Sequence, residues 1–376
     1  MTTPQNSSRI AVFAAAAVAA IVALPGLFAS PARAQDGRDR IIQKTGQVLG
    51  ERPVITITDE TFLVVKYKVS TAEQQIALNK VERVIHGDEP DEYRTAAGTL
   101  RSGDLPQALR MFQELAGVTD PPWVQQYSLW NIGVCLQSLG KYAEAIAAYK
   151  NLEAKVPTSR FLPDAMLEMG KCHFQSGNAA AAKAAFETLQ EATRAKGFDP
   201  VWGHWAQYWL IRLLEQDKAY DRALTEYNRL QGLIGTDFPK LANECRMRVG
   251  NVYIQQKDIG RARQFFQGIA ETEDGTALEA AARLGLGDCA YDEKKLEEAR
   301  YNFLWTVTLQ NRLPEGVVAP DVAAKAMYYA GLCFEVMKDN EKNGARARDL
   351  YKRVVDDFAT TEWAMRARER LGLRPR

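Results

Sequence analysis

Seven pairs of an alanine and, four residues later, a Phe or Tyr recur at near-even spacing down this chain, and that spacing restricts the possible folds more than any other feature. The pairs are Ala108/Phe112, Ala145/Tyr149, Ala182/Phe186, Ala223/Tyr227, Ala262/Phe266, Ala299/Phe303 and Ala347/Tyr351, separated by 37, 37, 41, 39, 37 and 48 residues. Near-even spacing at this period is the signature of a solenoid, in which no unit buries its apolar side alone and each borrows a neighbour. A glycine stands twelve residues before four of these alanines (Gly133, Gly170, Gly250, Gly287), with Ala96 and Ile211 in the equivalent place elsewhere. Gly331 stands sixteen before Ala347, because "DNEKNG" lengthens that turn. Each unit reads as helix, tight turn, helix, the small residue allowing close approach and the aromatic filling the space between. "SGD", "LGK" and "SGN" at 102–104, 139–141 and 176–178 supply a glycine where a helix ends left-handed.

The stretch "LWNIGVCLQSLGKYAEAIAAYKNLEAKVP" carries Leu129, Ile132, Gly133, Leu136, Gly140, Tyr142, Ala145, Tyr149 and Pro157 in the pattern of the tetratricopeptide repeat family. The chain resembles that family over residues 90–372. The resemblance implies a mainly α fold, an α-solenoid of about seven helical hairpins, with a concave groove that binds proteins or peptides. Ile211 in place of glycine, spacings longer than the common 34 and the missing closing proline in most units depart from the pattern. Lengthened units such as "VPTSRFLPDAMLEMGKCHFQSGN" look like those of bacterial cell-envelope members, including the coordinator associated with the Tol-Pal system, although that protein's N-terminal coiled coil has no counterpart here.

Residues 1–34 read as a secretory signal: Arg9, an apolar run from Ile10 to Ala29 broken by Pro25 and Gly26, then "ARA" at 32–34. About 20 apolar residues can also span a bilayer, so an uncleaved anchor is the alternative. Cleavage would remove two arginines and no acids, leaving 46 basic and 47 acidic groups and a net charge of −1. That balance points to neither nucleic acid nor an anionic membrane as partner. Periplasmic export follows as an expectation.

Residues 35–89 have a different texture. "PVITITDETFLVVKYKV" is rich in β-branched and aromatic residues with partial alternation. Four or five short strands in a small barrel or curled sheet are expected, with "AEQQIALNKVERVI" as further strands or, alternatively, as a helix. Followed directly by a repeat, this module looks like the N-terminal module of tetratricopeptide proteins from planctomycete-type bacteria.

Chemistry is sparse. "GLGDCA" at 285–290 lacks the preceding strand and following acid of a dinucleotide loop, and Gly287 is more simply a helix-contact residue. His86, His173 and His204 fall in no metal-binding spacing, Cys172 and His173 point about 100° apart on a helix, and no Walker loop or nucleophile elbow occurs. No catalytic residue, cofactor or metal ligand is assigned. Cys135, Cys172, Cys289 and Cys333 each follow a repeat glycine by two places and are expected to be buried, reduced and too far apart to pair.

The resemblance also implies a partner-binding face on the first helix of each hairpin, taken as the residues three before and four after the contact position, to which Tyr127 and Trp205 are added one turn earlier on the same face. The candidates are Tyr127, Trp130, Phe174, Trp205, Tyr208, Met247, Tyr291 and Tyr328, with "WGHWAQYW" at 202–209 holding more rings than one helix is expected to bury. An aromatic stripe at helical spacing can equally be core. "TEWAMRARERL" reads as a terminal capping helix, about 361–372, with solvated arginines. The functional expectation is an exported, non-enzymatic adaptor. In the alternative, the β module binds a glycan, the cell wall or a membrane protein, and the array is a spacer or oligomerisation element.

Overall fold

The computed structural model describes residues 37–314, 316–337, 341–359 and 361–373, so the expected secretion signal lies outside the described residues. The N-terminal module contains six strands, β1 (Arg40–Gln43), β2 (Val48–Leu49), β3 (Ile55–Glu60), β4 (Val64–Val69), β5 (Ala72–Ala77) and β6 (Val81–Ile85). They form two antiparallel three-stranded sheets, β2-β1-β6 and β3-β4-β5. Ile41, Ile55, Val65, Tyr67 and Val81 make their shared core. Six strands in two sheets therefore stand where four or five in a small barrel or curled sheet were expected. The segment "AEQQIALNKVERVI" is β5, one 3-10 turn and β6 rather than a helix. In this arrangement Ile76, Leu78 and Val84 all reach the module's core, where neighbouring strands complete the hydrogen bonding.

Fifteen α-helices follow among the described residues. They pair as α1 (Asp91–Arg101) with α2 (Leu105–Leu115), α3 (Pro122–Ser138) with α4 (Tyr142–Lys155), α5 (Leu162–Gln175) with α6 (Ala179–Lys196), and α7 (Pro200–Gln216) with α8 (Tyr220–Ile234). Then come α9 (Pro239–Gln255) with α10 (Ile259–Thr272), α11 (Ala277–Asp292) with α12 (Leu296–Arg312), and α13 (Pro320–Val336) with α14 (Asn343–Asp357). These are the seven hairpins. The cap α15 (Glu362–Arg370) buries Trp363, Ala364 and Ala367 against the last hairpin, with Arg368 half-buried and Arg370 exposed.

Each hairpin closes around its aromatic. A Cβ added to Gly133, Gly170, Gly250, Gly287 or Gly331 would overlap the ring of Tyr149, Phe186, Phe266, Phe303 or Tyr351. Gly287, of the "GLGDCA" run, is thus a packing residue inside α11. The first turns end left-handed at Gly103, Gly140 and Gly177, but Lys218, Lys257 and Lys294 occupy the same backbone region in later hairpins, at φ near 60°. All five cysteines are buried and unpaired, and burial pushes each thiol up to about 12.

The β module is docked on the solenoid. Its β3–β4 turn reaches the loop between α4 and α5, where Thr61 bridges to Ser159 and the Phe62 N–H donates to Thr158 O at 3.1 Å. Phe62 then packs edge-on against Phe198, before α7, with centroids 4.9 Å apart.

Candidate functional site

Successive odd-numbered helices from α5 to α13 touch one another across repeats, and the even-numbered ones do not to a comparable extent. Closer spacing identifies the odd helices as the inner curve of the solenoid, the surface along which a partner can lie. Here the contact-glycine register brings side chains from successive helices within reach of each other.

A polar ladder runs along this curve. Gln137 on α3 donates to Glu168 on α5 at 2.8 Å, and Glu168 accepts from Lys171 at 2.6 Å. The Lys171 ammonium lies 5.6 Å from the Trp209 ring centre on α7, and Arg212 stacks over both Trp209 and Phe174. Arg212 and Arg248 both reach Glu215, so α7 and α9 are joined by a charged pair. Further on, Lys325 on α13 donates to Asp288 on α11 at 2.6 Å and sits 5.6 Å from the Tyr329 ring centre. Tyr329 meets Tyr291 and Trp363 edge-on.

The local electrostatics follow from this crowding. Burial, reinforced by Glu168, pushes the Asp164 carboxyl up to about 7 against the opposing pull of Arg160. Burial also raises the carboxyl of Asp288, with Lys325 opposing. For Glu215, burial acts upward but Arg248 and Arg212 outweigh it, so the group lies below the usual carboxylate range. The inner curve thus holds fixed charges in a partly desolvated trough, where hydrogen bonds and ion pairs are stronger than in open water.

The eight expected partner-contact side chains divide. Trp130, Phe174, Tyr208 and Tyr328 are 1%, 3%, 3% and 8% exposed, so as core residues they offer no ring to a partner. Trp130 stacks on Phe161 and Tyr149, Phe174 meets Trp209, Tyr208 meets Tyr227, and Tyr328 packs on Tyr351. Tyr127, Trp205, Met247 and Tyr291 remain half-buried. The rings of "WGHWAQYW" are none of them exposed: Trp205 and Trp209 each pack into the clusters on both sides of α7. One helix manages this because it is flanked by two hairpins.

Two features escaped the sequence reading. First, the residue four after the contact position matches the aromatic opposite it. Tyr149 donates to Gln137 at 2.9 Å and Tyr227 to Glu215 at 2.5 Å. Glu335 stands opposite Tyr351, whose hydroxyl burial and that carboxylate together hold above the usual range. Where the aromatic is Phe, the partner position holds Leu100, Phe174, Ile254 or Tyr291. This alternation of Tyr with a polar residue is visible in the sequence once the register is known. Second, Glu60, 3% exposed at the end of β3, binds His86 at 2.7 Å, Arg160 at 2.5 Å and Tyr127 at 3.1 Å. Burial would raise this carboxyl, yet Arg160 and His86 hold it at about 2. These partners lie 26, 100 and 67 residues from Glu60, beyond any local pattern.

A family model described as a tetratricopeptide repeat-like domain matches residues 106–276, and a second, described as a tetratricopeptide repeat, matches residues 250–304. None of the curated proteins matches the chain. Among experimental structures, BtubC from P. vanneervenii is 15% identical, with a TM-score of 0.43 over 59% of this chain and 91% of its own. The apo quorum sensor NprR from B. thuringiensis is 12% identical, with a TM-score of 0.45 over 74% of this chain and 85% of its own. The C-terminal part of a TPR repeat-containing protein from Cytophaga hutchinsonii is 15% identical, with a TM-score of 0.36 over 73% and 98%.

Proposed function

The chain is a tetratricopeptide repeat-containing protein, and from that premise we propose that it is an exported, non-enzymatic adaptor that holds a protein or peptide partner along its inner curve. The observation that carries this reading is the ladder on the odd-numbered helices. Glu168, Arg212, Arg248, Asp288 and Lys325 present polar groups already oriented by their neighbours, with Tyr291 and Tyr329 between them. Pre-oriented polar groups lower the ordering cost of binding. They suit an extended peptide, whose backbone and charged side chains need partners, better than an apolar helix.

Export rests on the apolar run and "ARA" of residues 1–34, and a role in cell-envelope assembly rests on the resemblance of the lengthened units. N-terminal sequencing of the protein recovered from its host tests the first, with a mature end at residue 35 as the expected result. For the second, a photo-crosslinker placed at Tyr291 in the full chain should capture an envelope protein or peptide. Capture should fall sharply in Lys325→Ala with Arg212→Ala and remain in Tyr301→Ala, on the exposed outer side of α12. Equal capture by both variants, or crosslinks only to a probe on the β module, would favour that module as the binding part.

A further inference from the structure

The β module begins and ends at the same place, and that place has the makings of a metal site. Asp39 precedes β1, while His86 and Asp88 follow β6. One carboxylate oxygen each of Asp39 and Asp88 and one ring nitrogen of His86 lie within 4.8 Å of one another. His86 is 7% exposed and stacked on Trp123, with centroids 4.2 Å apart and planes 7° from parallel. Its Nε2 lies 2.7 Å from Glu60 Oε1, and its Nδ1 has no hydrogen-bond partner among the described residues.

We propose that Asp39, His86 and Asp88 bind a divalent transition-metal ion, Zn2+ by preference, through Nδ1 of the histidine and one oxygen of each aspartate. A buried imidazole held by a carboxylate on its far nitrogen is the usual arrangement of a metal-ligating histidine, in which the carboxylate sets the tautomer and the ring plane. Glu60 has that position, and Arg160 and Tyr127 in turn hold Glu60. The aspartates are oriented too. Asp39 accepts the Gly87 and Ile57 N–H groups at 2.7 and 2.6 Å, and Asp88 accepts the Trp123 indole N–H at 3.0 Å. A carboxylate oxygen that accepts one hydrogen bond keeps a second lone pair for a cation. Two oxygens and one imidazole nitrogen, completed by water, form a ligand set for Zn2+, whereas Ca2+ and Mg2+ favour oxygen alone. Asp88 is exposed and so has room to close the remaining separation. The bound ion would clamp the first and last residues of the module and stiffen the joint that Glu60 makes with the solenoid.

The test is calorimetric titration of the full chain, stripped with chelator, against ZnCl2, MnCl2, CaCl2 and MgCl2 in turn, with melting followed in parallel. One Zn2+ per chain is expected, tighter than Ca2+ or Mg2+, with a rise in melting temperature. Asp88→Asn keeps an acceptor for the Trp123 indole and changes an exposed group, so it should fold normally. It should weaken Zn2+ binding by roughly tenfold or more and abolish the rise in melting temperature. No Zn2+ binding up to about 1 mM, the weak end of the affinity scale, would overturn the proposal. So would Ca2+ or Mg2+ binding more tightly than Zn2+, or Zn2+ binding that Asp88→Asn leaves unchanged.

Discussion

At the scale of single residues, the fold depends on what is missing from five positions. Gly133 lies against Tyr149, whose ring is fully buried, so an added methyl group has nowhere to go unless a helix shifts. Overpacking of this kind costs typically 1–3 kcal/mol. We expect Gly133→Ala to lose about 2 kcal/mol in denaturant unfolding. Gly98→Ala, whose Cβ would meet only the end of the flexible Arg101 side chain, should be neutral or stabilising. Equal losses at the two sites would show that helix propensity, not the aromatic contact, governs these positions. The fourth hairpin shows how the rule bends: Ile211 fills the glycine place, and Glu215 and Arg248 secure Tyr227 instead.

Between elements, the decisive contact is that of β3 with α3 and the loop before α5. Glu60 is ionised inside protein because Arg160 and His86 outweigh the cost of its burial. Its carboxyl has an ordinary value of 4.5 and a folded value of about 2. A depressed folded pKa contributes stability that is complete above pH 4.5 and is lost as pH falls toward 2. Removing one member of a buried pair costs about 3 kcal/mol or more. Glu60→Gln should therefore lower the melting temperature markedly at pH 7 and progressively less between pH 4.5 and 2. A gap between variant and parent that stays constant over that range would mean Glu60 acts by shape alone.

For the whole molecule, the joint determines what can be separated. Stacked repeats are stabilised mainly by nearest neighbours, so damage at one end need not spread. Removing residues 1–89 would strip His86 from the face of Trp123 and leave Arg160 without Glu60. We expect such a chain to lose amide-exchange protection in α1–α5 while α9–α14 stay protected. Uniform protection along the array would show that the module is a passenger. Because the two parts share buried charges, partner capture is best compared in point variants of the full chain.

The seven Ala/aromatic pairs and their glycines were enough to determine hairpin count and register, since both follow from steric contacts inside one repeating unit. The alternating residues near Ile55–Val69 likewise placed a β module before the solenoid. Burial of Trp130, Phe174, Tyr208 and Tyr328 was decided only by tertiary structure, because a helix face does not reveal how closely the next hairpin approaches. The same holds for Glu60, Arg160 and His86. They are polar residues scattered over 100 positions, and they become one site only when folding brings the module's strand tip to the solenoid's edge, where desolvation makes their charges interdependent.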